Sequence, residues 1–498
     1  MSTETPRILE QQTPRLPISA FGTLAAVGVI IAIMVGLTRP ETIDFASPDT
    51  FAYTAQPMVW IFGAATLLPC LAYARNAGTS IRFGLLLWFV LGTITFTKDF
   101  SYIRLPGEPI FVTDVLLAVL ILSLIIFNPR LRTNLRSTAG KFLLCYLGIG
   151  AFTLFRSVLA GHPVLLSLRD AAITWYALFF LVGYLCACDP RKLLLLGKVF
   201  FLGSALTSVV AIFYFLHYPQ YGYGVHLTPG GIYATAALGM LLVGFENGFI
   251  HKGLWTYGLA FLFAIGVLLS DARTNYLALC LMLVAAFLFV PKARRRRRLR
   301  ALKPLLRGAI VLTLLVVILS ATPVAHKFVT AGLKMAYQGL FTPKQDPDAM
   351  WRLAAWVTAV DIFLRQPVLG VGYGSPFRFE FQLNAKSRKI NVDAKPHNTY
   401  LTVLYQMGLI GVLPLLAILL YFFFRAFSYL RGALFNDAPC LLVTIFQIVL
   451  VTLGMFNLVL ETPFYGSIFW LNLGIGFWLI ERNVNSQPSA GQLMARLW

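Results

Sequence analysis

Between residues 19 and 481 the chain alternates long apolar runs with short polar joints. The apolar runs fall at 19–37, 57–74, 81–97, 112–127, 142–160, 171–188, 194–216, 230–247, 254–270, 274–291, 308–325, 399–423, 440–460 and 466–481. Each is continuously apolar, and about 20 such residues in a helix cross the ~30 Å hydrocarbon core of a bilayer. Backbone amides in lipid must be bonded internally, which leaves helices or a closed barrel. A barrel strand alternates apolar and polar positions, and these runs do not. The pattern predicts an all-α polytopic membrane protein with about 12 to 14 transmembrane helices.

The joints differ in kind. "NPRLRTNLRSTAGK" (128–141), "DPRK" (189–192), "KARRRRRLRALKPLLR" (292–307) and the stretch Arg425 to Arg431 are basic. Short basic loops mark the cytoplasmic side. One orientation places all of them inside, together with both termini (1–18 and 482–498). The first run, with no small-residue cleavage site after it, reads as a retained anchor. The joints 38–56, 98–111, 161–170, 217–229, Asp271 to Arg273, 326–398 and 461–465 then face outward. This divides the chain into a tail, eleven spans over 19–325, an outward loop at 326–398, three spans over 399–481 and a second tail.

The outward loop 326–398 carries ten Lys/Arg against five Asp/Glu, which does not conflict with this topology because long loops escape the positive-inside rule. Within it, Asp346 is placed to cap a helix and Pro347 to occupy its first position. Leu353, Trp356, Val360 and Phe363 or Leu364 follow at three- and four-residue steps, predicting an amphipathic helix over the outer surface or the bundle. "PVLGVGYGS" (367–375) supplies turn-permissive Pro367, Gly370, Gly372 and Gly374. No Gly-Lys-Ser/Thr follows, so it is not a phosphate-binding P-loop.

Composition changes the picture little. The chain is 58% hydrophobic and 12% charged, with a mean hydropathy of +0.75, far from the roughly 25% charged of a soluble domain. The net charge of +21 sits largely in the short basic loops, where it meets anionic membrane lipid. No aromatic-interleaved module accompanies it, so nucleic acid is not an expected partner. Cys70, Cys145, Cys186, Cys188, Cys280 and Cys440 lie in or beside apolar runs and read as buried hydrophobes, not a disulfide frame or metal site.

The chemistry gathers at the outward joints. In "KPHNTYLTVLYQMGLIG" (395–411), His397 and Asn398 stand at the start of a span, beneath the basic cluster Lys386, Arg388, Lys389 and Lys395. Asn398 is placed to hydrogen-bond the imidazole or a sugar hydroxyl. Gly408 and Gly411 suggest close approach of a neighbouring helix. Arg273, within "LLSDARTNYLAL", opens another span; alone it would read as a snorkelling arginine paired with Asp271. Glu461 reads as a lone carboxylate, a structural group first and one able to orient a sugar second.

His397-Asn398 followed by Gly408 and Gly411 resembles the histidine motif of the O-antigen ligase and O-antigen polymerase superfamily. Arg273-Thr274-Asn275-Tyr276-Leu277 is similar to its Arg-x-x-x-Leu motif, and "QPVLGVGYGS" and "LSLRDAAITWYALFFLVGY" (166–184) are similar to further segments of these proteins. The resemblance runs through most of 100–480. It departs in two places: the span count exceeds the usual twelve, and the loop 217–231 carries no arginine where a further one is expected. His226 in that loop and Arg169 are the alternatives.

The resemblance implies a metal-independent glycosyltransferase of the bacterial inner membrane, active on the periplasmic face. Its donor would be an undecaprenyl diphosphate-linked glycan, and its acceptor lipid A-core or a growing polysaccharide. Such a reaction needs fixed cations for the departing diphosphate, which guanidinium groups grip bidentately. Arg273 leads, with Arg169 and His226 second. His397 would be the general base, direct displacement would invert the anomeric centre, and Lys395, Arg388 and Arg378 would steer an anionic acceptor. The outward loops show no His/Glu cluster at metal-ligand spacing, so no cofactor is expected. The histidine motif favours ligase over polymerase (including exopolysaccharide). A solute transporter is the alternative of another class, but it should place charges or broken helices near mid-bilayer, whereas Arg156 and Lys198 lie toward span ends.

Overall fold

A computed structural model describes residues 18–37, 57–104, 110–128, 131, 135–186, 189–217, 231–247, 250–251, 253–270, 273–288, 346–382, 390–432 and 437–485. The span expected at 308–325, the basic loop 292–307, both tails, His226 and the cluster Lys386, Arg388 and Lys389 lie outside the described residues.

The described chain is almost wholly helical: α1 (Ile18–Leu37), α2 (Pro57–Asn76), α3 (Ile81–Phe96), α4 (Lys98–Ser101), α5 (Val112–Phe127), α6 (Thr138–Leu159), α7 (Val164–Asp170), α8 (Ala172–Trp175), a 3₁₀ turn (Tyr176–Leu178), α9 (Phe179–Cys186), α10 (Pro190–His217), α11 (Gly231–Asn247), α12 (Leu254–Leu269) and α13 (Arg273–Leu288). After these come α14 (Pro347–Arg365), a hairpin of β1 (Arg378–Phe381) and β2 (Ile390–Asp393), α15 (Thr399–Gly432), α16 (Ala438–Gly454) and α17 (Pro463–Asn485). Six helices are long and apolar enough to cross a membrane, and seven shorter apolar helices accompany them among the described residues. The protein is an all-α polytopic membrane protein. The antiparallel pairing of Arg378 with Asp393 through Phe381 with Ile390 is a small departure that helical periodicity did not predict.

α17 is the hub. The apolar window of Pro463–Arg482 is wholly buried, and Trp470 at its middle is 0% exposed. Its Gly474 lies against the Phe180 backbone of α9, while Gly183 of α9 lies against Leu471. Any side chain there would collide with the facing backbone, so two small residues set the spacing of this helix pair.

The expected outward joints collect at one end of the bundle. Tyr102 packs on Phe464, Tyr233 donates to the Phe464 carbonyl, Thr399 bonds the Asn457 carbonyl, and Arg273 bonds Asp346. The opposite end holds the described basic joint 189–192, with Lys192 over Phe83, and there Arg82 bonds Ser123.

Candidate functional site

α14 begins where Asp346 turns the chain. Its Oδ1 accepts from the Asp348 amide at 3.2 Å, and Pro347 fills the first helical position, where the missing N–H costs nothing. The other oxygen, Oδ2, pairs with Arg273 at the start of α13. Arg273 therefore pairs with Asp346; Asp271, the partner that its neighbourhood in sequence suggested, lies outside the described residues. The guanidinium stays about a third exposed, at 35%, so only part of its five-donor fork is committed.

The buried face of α14 also differs from the expected stripe. Ala355 and Ala359 are buried with Trp351, Ile362 and Phe363 packed near them, whereas Leu353, Val360 and Leu364 are exposed together with Val357. Both faces are apolar, so periodicity alone did not decide which one packs inward. Small alanines let α14 settle against α15.

His397 sits on the buried side of that helix. Its ring meets Trp351 edge-on, with centroids 4.9 Å apart, and the Trp356 indole N–H donates to the Pro396 carbonyl at 2.8 Å. His397 has a φ of 45°, left-handed backbone that a non-glycine residue adopts at a cost of about 1–3 kcal/mol. Asn398 is committed differently from expectation. Its Oδ1 accepts from the amides of Tyr400 and Leu401 at 3.0 and 3.1 Å, which makes it the cap of α15. Five residues separate Asp346 from Trp351, about 7.5 Å along a helix, so Arg273 and His397 are both tied to the first turns of α14.

Lys395 does not stand free in the loop. Its ammonium contacts Asp170 Oδ1 at 2.8 Å and also Glu461 Oε2. Asp170 is buried at the end of α7, and its Oδ2 accepts from the Gly374 amide and the Gln406 side-chain amide, both at 2.9 Å. Glu461 is therefore no lone carboxylate; its second oxygen, Oε1, is buried without a hydrogen-bond partner. Burial alone would lower the Lys395 pKa, but the two carboxylates outweigh it and hold the ammonium well above its usual range. Burial pushes the Glu461 carboxyl up, against the opposing pull of Lys395.

The glycine-rich segment supplies the floor. α15 is broken at Gly408 (φ 65°, ψ −163°), and residues 367–372 fill the break. Val371 and Gly372 donate to the carbonyls of Tyr405 and Gln406 at 2.8 and 2.9 Å, and Leu409 donates to the Pro367 carbonyl at 2.9 Å. Gly408 thus admits a loop, not a neighbouring helix, and Gly411 faces its own Met407. Arg156 donates to the Leu369 and Gly370 carbonyls, both at 2.8 Å. The His162 Nδ1 lies 2.6 Å from the Tyr373 carbonyl; a carbonyl only accepts, so Nδ1 carries the proton.

Arg169 precedes Asp170 and points elsewhere. Its guanidinium lies 4.4 Å from the Phe111 ring centroid and 5.5 Å from that of Tyr102, with a long 3.5 Å bond to the Tyr176 hydroxyl, which itself donates to Asp114. Arg378 pairs with Asp393 across the hairpin at 3.2 Å, both exposed. Asp170 and Trp351 were missed in the sequence. The signal for Asp170 was available: an ionisable residue at the mouth of an apolar run is expensive and calls for a partner. Trp351 carried none.

Residues 258–416 match the family model described as O-antigen ligase. The match spans both Arg273 and His397, and it supports the resemblance to the O-antigen ligase superfamily over those residues. No curated protein matches the chain.

Proposed function

We propose that this chain transfers a glycan from a polyprenyl diphosphate, in bacteria undecaprenyl diphosphate, to a hydroxyl acceptor at the periplasmic end of the bundle. The single observation that carries the reading is that α14 holds Arg273 through Asp346 and His397 through Trp351, inside the segment that matches the ligase family. His397 accepts the proton as the acceptor oxygen attacks the anomeric carbon. The bond from that carbon to the diphosphate breaks, its electron pair leaves with the polyprenyl diphosphate, and the centre inverts. Arg273 neutralises the leaving charge, and a partly dehydrated site strengthens that interaction. Arg169 is the second cation, since its guanidinium rests on aromatic rings rather than on a carboxylate. Arg378, half of an exposed ion pair, keeps at most a steering role.

Exposed Leu353, Val357 and Leu364 on α14 favour lipid-side approach to this end, as a lipid-linked donor requires. Ligase, with lipid A-core as acceptor, is preferred on the fit of the histidine motif. The transporter reading gains one feature, the broken helix at Gly408. The backbone groups beside the break are occupied by residues 367–372, which makes the break a docking point for a loop.

Deletion of the gene followed by gel analysis of lipopolysaccharide and lipid-linked glycans tests the reading. Loss of long-chain surface glycan with accumulated lipid-linked polymer is the ligase result, and accumulated single repeat units are the polymerase result. Unchanged surface and lipid-linked glycans would refute both.

A further inference from the structure

His397 occupies left-handed backbone, and its ring meets Trp351 edge-on. The chain two residues earlier is anchored inside the fold. Lys395 reaches inward between Asp170 and Glu461, which come from opposite sides: Asp170 from the end of α7, Glu461 from the turn between α16 and α17. Both carboxylates are buried, at 4% and 6% side-chain exposure. Asp170 also takes the Gly374 amide and the Gln406 amide, so one carboxylate links the glycine-rich segment, α15 and the loop that bears His397. On the other flank, Thr399 bonds the Asn457 carbonyl and accepts from the Val459 amide at 2.6 Å, so the same 455–462 turn grips the chain on both sides of His397.

We infer that Lys395 is a positioning residue: the buried Asp170–Lys395–Glu461 strut, with the Thr399 clasp beyond it, fixes the turn that aims His397. Lys395 therefore acts through His397 and does not meet substrate. This inference deepens the proposed function and rests on it only for the use to which the aimed imidazole is put. A salt bridge chosen for stability alone would be a poor choice here, because two buried carboxylates sharing one cation leave Glu461 Oε1 without a partner, and buried ion pairs seldom outdo apolar packing. Fixing geometry is the better-attested use of such groups.

Lys395→Met alone leaves two carboxylates uncompensated and is expected to fold poorly. The informative variant is the double Lys395→Met/Glu461→Gln. It removes one cation and one anion, so the cluster keeps its net charge, and Asp170 keeps the Gly374 and Gln406 donors. Diethyl pyrocarbonate acylation of His397, followed by mass spectrometry on detergent-purified full-length protein, reports where the imidazole stands. The double variant should melt and elute as wild type, while His397 acylation rises several-fold as the ring leaves Trp351. With lipid-linked glycan accumulated in deletion cells as donor, kcat should fall while KM for the donor holds. A folded double variant whose His397 acylates at the wild-type rate overturns the inference, and so does a double variant that cannot fold, since the cluster then serves stability. Failure of the functional reading is separate: it shows as full transfer by His397→Ala, and leaves the acylation comparison to decide the strut alone.

Discussion

At the residue scale the account rests on two cations and one imidazole. His397→Ala should insert and fold, because the ring lies at the rim of the bundle and not in its core, yet transfer should drop by about 10²–10⁴-fold, the usual worth of a general base; surface-glycan gels read the loss. Arg273→Lys should fail as well despite its charge, since an ammonium cannot both hold Asp346 and present a planar fork to a diphosphate. A normal glycan profile from that variant removes Arg273 from the site. Lys395 behaves differently with pH. Its folded pKa is raised, so its stabilising contribution is fully present below the unfolded value of about 10.4 and fades only as pH rises through the folded one. Lys395→Met orphans two buried carboxylates, at a cost of about 3–5 kcal/mol. Burial already pushes the Glu461 carboxyl up, and without the cation a proton relieves it more readily, so thermal melts should show a larger cost at pH 9 than at pH 6. His397 and Arg273 were legible in the sequence because ionisable residues at the rim of apolar runs are scarce. Their partners were not: Asp346 lies 73 residues from Arg273, and Asp170 and Glu461 reach Lys395 across the fold. Proximity in sequence offered only Asp271, which lies outside the described residues.

At the scale of elements, the cap and first turn of α14 could be read in advance because Asp346-Pro347 is local chemistry. Its packing face could not, because Leu353, Val357, Val360 and Leu364 form an apolar stripe as regular as the one that packs. Gly370, Gly372, Gly374 and Gly408 were all visible as permissive positions. What they permit is a pairing of residues 367–372 with the broken α15, a non-local contact that no periodicity encodes. Gly408→Ala tests it. The residue has φ 65°, and an added Cβ would run into the Val368 carbonyl. Strained backbone costs about 1–3 kcal/mol, so the melting temperature should fall and the loop should become open to protease. A variant as stable and protease-resistant as wild type would mean that the loop does not insert there.

At the scale of the whole molecule, alternation of apolar runs and joints carried nearly all of the architecture, because lipid leaves the backbone so few options. Among the described residues, parts of the joints expected to face outward meet at one end of the bundle, and the basic joint 189–192 lies at the other. Which end faces the periplasm is a matter for labelling. Glu380→Cys in the hairpin should react with a membrane-impermeant maleimide in spheroplasts, and Arg431→Cys should react only after lysis; the reverse pattern inverts the topology. The central claim, transfer of a lipid-linked glycan by this end of the bundle, is tested most directly in liposomes. They would hold the purified protein, polyprenyl diphosphate-linked glycan and lipid A-core. Wild type should produce glycan-bearing lipid A-core without added metal, and His397→Ala should produce none. Equal product from both proteins, or none from either with donor and acceptor accessible, would contradict the account.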